Sequence, residues 1–254
     1  MSIEFIRKDR IATITINRPE KMNAMTVEMY AEISRRLKEI DEDPEIWAGI
    51  ITGTGDRAFS AGADLAMEGR GGRGGEWSAY RANRFDYGLE IQKPLIAAVN
   101  GFCLAGGLEL ALICDIRVAS DNAQFGCPEV KWNLLHGYGA QRLPYIIGLS
   151  NALRLLLTGE FINAEEAYRI GLIQEIVPLN RVRDRAAEIA ARICENGPMA
   201  VRMTKEMTLR ALDMSLIDGL RLYTEYSRQV FRSEDMAEGT RSFAEKRKPE
   251  FKNR

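Results

Sequence analysis

The 254-residue sequence is poor in the residues that metal sites use, and its charges are balanced. It has one histidine, His136, which excludes a site built from several imidazoles, and its four cysteines lack metal-ligand spacing. We therefore expect no metal, and we interpret the cysteines as reduced thiols of a cytoplasmic protein. The 35 basic and 36 acidic residues nearly cancel, so no global field favours binding of nucleic acid.

Long uninterrupted apolar runs are also missing. The longest apolar stretch is broken by Glu109 and is too short to span a bilayer, so we expect no membrane segment. The first ten residues, MSIEFIRKDR, lack the apolar region of a signal peptide. With 46% hydrophobic and 28% charged residues, the chain is instead typical of a globular protein with a substantial core.

The sequence does contain an alternation of short apolar strands and amphipathic helices, which predicts an α/β fold with parallel, right-handed crossovers. A hairpin is expected at the start of the chain, and helices continue from about Met199 to the end. The glycine-rich segment 67–77 is predicted to be a mobile flap. Further strands are predicted at 47–52, 95–99 and 116–119, and helices at 26–40 and 106–114.

Glu109 lies inside the apolar run GFCLAGGLELALICD, where burial of an ionised carboxylate is costly. Gly106 and Gly107 open the helix that carries it. The N–H groups of a first helical turn have no intrahelical acceptor and lie at the positive end of the helix dipole. Glu109 comes three residues after Gly106 and shares its face. The spacing predicts a carboxylate beside an anion-stabilising N–H.

A second carboxylate, Glu129, follows a proline in FGCPE at 125–129. The strand predicted at 116–119 returns the chain past the helix, so both acids could face one site. Paired carboxylates suit general acid–base work on water. A second N–H donor could come from the small residues of FSAGADL at 59–65, and two N–H groups aimed at one oxygen form an oxyanion hole.

Several segments together resemble the crotonase, or enoyl-CoA hydratase/isomerase, superfamily. They are NRPEKMNAM (17–25), AFSAGADL (58–65), KPLIAAVNGFCLAGGLELALICDIRVAS (93–120), AQFGCPEV (123–130) and FAEKRKPEFK (243–252). The resemblance covers nearly the whole chain. It implies a spiral of ββα turns over residues 1–197 and a helical C-terminal trimerisation region over residues 198–254. It also implies an acyl-CoA substrate, a thioester enolate, a homotrimer or dimer of trimers, and a role in fatty acid metabolism.

The resemblance also assigns roles to residues. Ala63 and Gly106 would supply the two oxyanion-hole N–H groups. Glu109 and Glu129 match the two acids of true hydratases, with Glu129 as the main proton donor to the α-carbon and Glu109 helping to activate water. Phe243 and Lys246 match a C-terminal helix that often reaches the CoA of a neighbouring subunit. The residues that match substrate- or CoA-binding segments are Lys21, Met22, Ala24, Ala61, Asp64, Leu65 and Pro128.

One loop departs from the family pattern. Hydratases typically have a stretch such as GxxPGAGGTQRL after the second glutamate, whereas this chain has NLLHGYGAQRL at 133–143, with His136 in place of the proline. We expect His136 and Tyr138 to shape the acyl pocket for a cyclic or substituted group, although a lone histidine is more often a passive loop residue. The two acids favour hydration, with no cofactor beyond the CoA of the substrate. Isomerisation and dehydration of a carnitinyl-CoA type of substrate are the alternatives.

Three functions from other classes explain fewer residues. Ser60, Asp115 and His136 follow the chain order of an α/β-hydrolase triad, but AFSAG lacks the first glycine of the nucleophile elbow. GTGDRA at 53–58 lacks the third glycine of a dinucleotide-binding loop. The interleaved acids of AEISRRLKEIDED argue against a stripe that tracks nucleic-acid phosphates. We therefore predict an enoyl-CoA hydratase.

Overall fold

The computed structural model describes residues 2–64 and 91–254. Leu65 and the glycine-rich segment 67–77 lie outside these residues. The strands of the described part are β1 Ile3–Lys8, β2 Ile11–Ile16, β3 Ala48–Gly53, β4 Ala58–Ser60, β5 Leu95–Val99, β6 Phe102–Leu104, β7 Ile116–Ser120, β8 Gln124–Gly126, β9 Phe161–Asn163 and β10 Glu175–Val177. Its α-helices are α1 Val27–Glu42, α2 Gly106–Leu112, α3 Gly139–Ile147, α4 Leu149–Thr158, α5 Ala164–Arg169, α6 Val182–Cys194, α7 Pro198–Arg210, α8 Leu216–Phe231 and α9 Glu234–Glu245.

Six strands form the larger sheet, in the order β1-β2-β3-β5-β7-β10. The first two pair antiparallel, as the predicted hairpin requires. The remaining neighbours are all parallel. The predicted α/β class, the hairpin and the parallel strands 47–52, 95–99 and 116–119 are therefore confirmed, to within one residue at each end.

A second sheet contains β4, β6, β8 and β9 and was not predicted. Each of its strands has only three residues, too few to show an alternation of apolar and polar residues. The chain passes repeatedly from the large sheet to the small one: β5 continues into β6 and then into α2 before β7 returns to the large sheet. This ββα turn is the unit of the expected crotonase-like spiral, and it delivers Gly106 and Glu109 to the edge where the small sheet ends.

The large sheet is covered on both faces, so its central strands are continuously apolar. Every residue of β3 is buried. Val182, Ala186 and Ala190 of α6 pack on one face. Ile33 and Leu37 of α1 belong to the main core on the other face. α1 begins as predicted, since the Thr26 side chain accepts a hydrogen bond from the Met29 N–H.

The helical C-terminal part begins with α7 at Pro198. The expected division of the chain into two regions at 197/198 stays a prediction. Lys205 of α7 pairs with Asp115 at 2.8 Å and donates to the Lys93 carbonyl, so this helix is fastened to the core. At the end of the chain, the buried Asp235 carboxylate accepts the N–H groups of Lys252 and Asn253. In the described part of the chain, no helix is long and apolar enough to cross a membrane.

Candidate active site

Two glycines bring the predicted oxyanion-hole segments into contact. A Cβ built on Gly62 would lie 2.8 Å from the Ala105 Cβ and 3.0 Å from the Gly106 nitrogen. A Cβ on Gly106 would lie only 2.2 Å from the Tyr30 hydroxyl oxygen. A side chain at Gly62 would force the two backbone segments apart, and a side chain at Gly106 would displace the buried Tyr30 side chain. The close approach explains why both positions are glycine.

The backbone N–H groups of Ala63 and Gly106 take no part in the hydrogen bonds that join their segments to the neighbouring chain. Met25 bridges to the segment around Ala63 by donating to the Gly62 carbonyl and accepting from the Asp64 N–H, so the Ala63 N–H faces away from Met25. Gly106 is the first residue of α2 and has no intrahelical acceptor. Neither amide donates a hydrogen bond to another described residue.

The residue before Gly106 has an unusual backbone conformation. Ala105 has φ 51° and ψ −127°, a region that side-chain-bearing residues rarely adopt. Its N–H donates to the Gly126 carbonyl and its own carbonyl accepts from the Glu109 N–H. The surrounding hydrogen bonds therefore hold a strained turn that sets the direction of the Gly106 N–H, which sequence reasoning did not anticipate.

Glu109 lies on α2, half-buried rather than sealed in the core. Its Oε1 accepts the N–H of Gly139, the first residue of α3, at 3.3 Å. Because α2 and α3 contact each other here, the carboxylate is oriented from outside its own helix. The predicted placement of a carboxylate on the same short helix as Gly106 is confirmed, while its catalytic role stays a prediction.

Glu129 lies in a single 3-10 turn that begins at Pro128. Its side chain is 13% exposed, and its Oε1 accepts a short hydrogen bond from Nδ1 of His136. Its second oxygen, Oε2, is buried and has no hydrogen-bond partner in the described part of the chain. A buried carboxylate oxygen without a partner is rare in folded proteins, and it marks this group as one available for chemistry.

His136 is buried and uses both ring nitrogens. Nδ1 contacts Glu129, and Nε2 lies 3.6 Å from the Cys127 sulfur. Burial opposes a charge on the imidazole, but the hydrogen bonds to Cys127 and Glu129 outweigh it and raise the pKa of His136 to about 10. Burial raises the pKa of the Cys127 thiol, so Cys127 is not an activated nucleophile.

Gly139 connects the two glutamates. Its N–H donates to Glu109, and a Cβ at this position would lie 2.3 Å from Nε2 of His136 and 3.3 Å from Cγ of Glu109. The imidazole of His136 in turn holds Glu129. Gly139 and His136 therefore bring both acids to one place, and sequence reasoning gave neither of these residues a part in hydration.

The expected effect of the altered loop on the acyl pocket stays a prediction. Tyr138 packs in the main apolar core, and burial raises the pKa of its hydroxyl. The hydroxyl has no hydrogen-bond partner among the described residues. His136 contacts Glu129 instead of lying passively in the loop.

The predicted CoA-channel segments form one unit beside Ala63. Ala61 donates its N–H to the Met22 carbonyl, and the Arg18 guanidinium holds Asp64 at 2.6 Å while also donating to the Ala24 carbonyl. Lys21 is exposed beside them. The Asp64 carboxylate is thus tied to a structural ion pair, and the binding roles of these residues stay predictions.

Asn23, whose part sequence reasoning missed, holds this unit together. It is fully buried, and its amide donates to the carbonyls of Thr54 and Ala58 while accepting from the Arg18 N–H. Its φ of 53° is one that asparagine tolerates better than most residues. The asparagine in NRPEKMNAM could have indicated this role, because few other side chains can both donate and accept hydrogen bonds and tolerate a positive φ.

Phe243 and Lys246 lie elsewhere in the chain. Phe243 is 87% exposed on α9, and Lys246 ends that helix in the left-handed conformation. No hydrogen bond, ion pair or ring contact joins either of them to the glutamates within the described residues. Their expected contact with the CoA of a neighbouring subunit stays a prediction.

The residues of the alternative hydrolase triad are not assembled. Ser60 is fully buried and donates to the Asn23 carbonyl at 2.8 Å. Asp115 accepts from the Leu95 N–H and pairs with Lys205. Since His136 contacts Glu129 and Cys127, each of the three has separate partners, and Ser60 acts as a structural hydroxyl.

Comparison with known proteins agrees with this geometry. The model of the enoyl-CoA hydratase/isomerase family matches residues 7–254. The chain is 39% identical to a short-chain-enoyl-CoA hydratase of Clostridium acetobutylicum, covering 98% of this chain and 97% of the relative. It is 38% identical to a crotonyl-CoA hydratase of Syntrophomonas wolfei, covering 96% and 95%. The crystal structure of an enoyl-CoA hydratase from Bacillus anthracis superposes with a TM-score of 0.93 at 34% identity over 100% of both chains. Two glutamates lie beside two amides that donate to no other described residue, and these relatives match nearly the whole chain, so the chain belongs to the enoyl-CoA hydratase/isomerase family.

Proposed function

We propose that the protein hydrates the α,β double bond of a short enoyl-CoA thioester. The observation that carries the proposal is the convergence of Glu109 and Glu129 on the first turn of α3, next to the amides of Ala63 and Gly106. The relatives named above are called short-chain-enoyl-CoA and crotonyl-CoA hydratases, which supports hydration as the reaction and a short acyl chain as the substrate.

The two amides would act on the thioester carbonyl. Withdrawing electrons toward that oxygen makes the β-carbon electrophilic, and the oxygen gains negative charge as the enolate forms. N–H groups already fixed by the strained Ala105 turn and the Met25 bridge stabilise this charge without reorganising. Loss of one such donor typically lowers the rate by about 10²–10³.

The two carboxylates would handle the water. Glu109 helps to activate the water, whose oxygen bonds to the β-carbon, while Glu129 takes up the proton that the water releases and supplies it to the α-carbon. The electron pair of the double bond passes through the enolate into the new C–H bond, so the balance is the addition of one water molecule. No electron is transferred to an acceptor, so the reaction needs no redox cofactor. We propose that it uses no metal either.

The environment and assembly are also part of the proposal. All four cysteines are free thiols, which fits a reducing compartment such as the cytoplasm. α8 has no buried residue and exposes Leu216, Ile217, Leu220 and Tyr223. Exposed apolar surface of this kind is typical of an interface, so we propose a homotrimer or a dimer of trimers formed through the C-terminal helices. A place in fatty acid metabolism follows from the proposed substrate class.

The test is a spectrophotometric hydration assay on crotonyl-CoA and on longer, branched and cyclic enoyl-CoAs. Wild type should hydrate at least one of them, and Glu109→Gln and Glu129→Gln should each lower kcat by about 10²–10⁴, the usual contribution of a general acid or base. Unchanged binding of CoA thioesters is the control. Isomerisation or dehydration of a hydroxyacyl-CoA without hydration of any substrate would replace the proposal with one of those reactions.

A further inference from the structure

A buried three-residue chain of contacts leads from Cys127 through His136 to Glu129. The Cys127 sulfur lies 3.6 Å from Nε2 of the imidazole, and the other ring nitrogen, Nδ1, contacts Oε1 of Glu129. The His136 side chain is only 3% exposed, so these two groups, and not water, define its orientation. The contact with Cys127 fixes which ring nitrogen faces the carboxylate.

The two oxygens of Glu129 have different surroundings because of this contact. Oε1 is held by His136, whereas Oε2 is buried without a partner among the described residues. A carboxylate can otherwise rotate about its terminal torsion, which is broad for glutamate. Because His136 fixes Oε1, the Glu129 carboxylate cannot rotate freely, and Oε2 points in a single direction.

We propose that His136 is a positioning residue for the reaction: its Nδ1–H holds Oε1 of Glu129 and leaves Oε2 as the oxygen that exchanges the proton with the substrate. This inference rests on the proposed function, which makes Glu129 the proton donor. It assigns His136 a part in hydration although His136 itself touches neither water nor substrate.

The packing around the ring supports this assignment. Gly139 leaves no room for a side chain, since a Cβ there would lie 2.3 Å from Nε2. Gly139 also contacts Glu109, and the charges of Glu109 and Arg142 act on the hydroxyl of Tyr138, two residues after His136. The ring is thus enclosed by the groups of the site, and a shift of the ring must shift Glu129.

The kinetic test compares His136→Ala with His136→Asn. Alanine removes the hydrogen bond, and we expect kcat on crotonyl-CoA to fall about 10- to 100-fold with KM nearly unchanged, since small misplacements of a reacting group have effects of this size. Asparagine keeps a donor close to the position of Nδ1 and should recover most of the loss. Leu135→Ala, in the neighbouring and 94% exposed position, is the matched control and should behave as wild type.

A double-mutant cycle separates positioning from a general structural role. If His136 acts through Glu129, adding His136→Ala to Glu129→Gln should lower kcat no further. The inference is overturned if the two losses multiply, or if His136→Ala alone keeps wild-type kcat while Glu129→Gln does not. Full activity of Glu129→Gln would instead refute the proposed role of Glu129, and the inference with it.

A spectroscopic test does not depend on turnover. His136 is the only histidine, so protein labelled with ¹⁵N-histidine has one imidazole spectrum. The ring should keep its proton well above pH 6.5 in wild type, and Glu129→Gln should lower the pH at which the proton is lost. Identical titrations near pH 6.5 in both proteins would show that the ring does not hold the carboxylate.

Discussion

At the candidate active site polar groups are buried, whereas in the C-terminal helices apolar side chains are exposed. Oε2 of Glu129 is inaccessible to solvent and has no partner among the described residues, and the imidazole of His136 is enclosed. On α8, by contrast, Leu216 is 79% exposed and Ile217 is 64% exposed. The two regions depart from the usual distribution of polar and apolar residues in opposite directions.

The difference shows what each region lacks. A buried polar group is costly unless something pairs with it, and substrate and water are the partners that fit the proposed site. An exposed apolar helix face leaves hydrophobic surface in water, and the proposed partner is another copy of the chain. The site is expected to gain its missing partners when substrate and water bind, and the helix face when another chain packs on it. Mutations in the site should therefore change kcat, and mutations in α8 should change the oligomeric state.

The strongest disruption of the site should come from Gly106→Ala. The new Cβ would lie 2.2 Å from the Tyr30 hydroxyl oxygen, and we expect displacement of the amide to lower kcat by about 10²–10³. Adding Tyr30→Phe removes the colliding oxygen and leaves the nearest atoms at 3.4 and 3.7 Å, so the double variant should recover activity. Failure of this rescue in a folded protein would argue against the proposed oxyanion hole.

Gly139→Ala should have a smaller effect. Its Cβ meets the His136 ring, and we expect kcat to fall by about 10- to 100-fold through displacement of the two acids. Gly219→Ala in α8 is the matched control, because no atom lies within 4 Å of its Cβ. It should leave activity unchanged and raise the free energy of unfolding by about 0.5–1 kcal/mol, as expected for glycine in a helix. Destabilisation instead would indicate that a second chain packs against this glycine.

Leu220→Glu should act on assembly. A charge on the apolar face of α8 should shift the protein toward monomers, measured by light scattering after size-exclusion chromatography. Gln229→Glu, on the charged face of the same helix, is the control and should keep the wild-type mass. A monomeric wild type would contradict the proposed oligomer without affecting the site within the chain.

The last prediction concerns pH and acts on stability rather than on the reaction. Because the folded protein raises the pKa of His136 to about 10 from an ordinary value near 6.5, the imidazole contributes stability that is fully present below pH 6.5. The contribution should be lost as the pH rises from 6.5 to 10, because the unfolded chain releases its proton first. Denaturant unfolding at several pH values should show this decline, and His136→Asn should show a flatter dependence over the same range.

Prediction from the sequence succeeded where a residue pattern has one physical meaning. The short apolar runs of β3, β5 and β7 were correctly predicted as buried strands, and Thr26 before an amphipathic pattern predicted the start of α1. The three-residue strands of the second sheet were missed, since pairing with neighbours and not local pattern makes them strands. The contact of His136 with Glu129 was also missed: the sequence predicted a residue that shapes the acyl pocket or lies passively in the loop, because a lone histidine has no pattern that names its partner.

The sequence by itself determined the family, the order of the elements and the two glutamates, because these depend on residue types at fixed positions along the chain. The tertiary structure decided which groups act on those glutamates. It placed Gly139 against Glu109 and His136 against Glu129, and it turned the Ala63 and Gly106 amides away from the loop hydrogen bonds. Such contacts join residues far apart in the chain, and their geometry depends on the packing of α2, α3 and the loops around them.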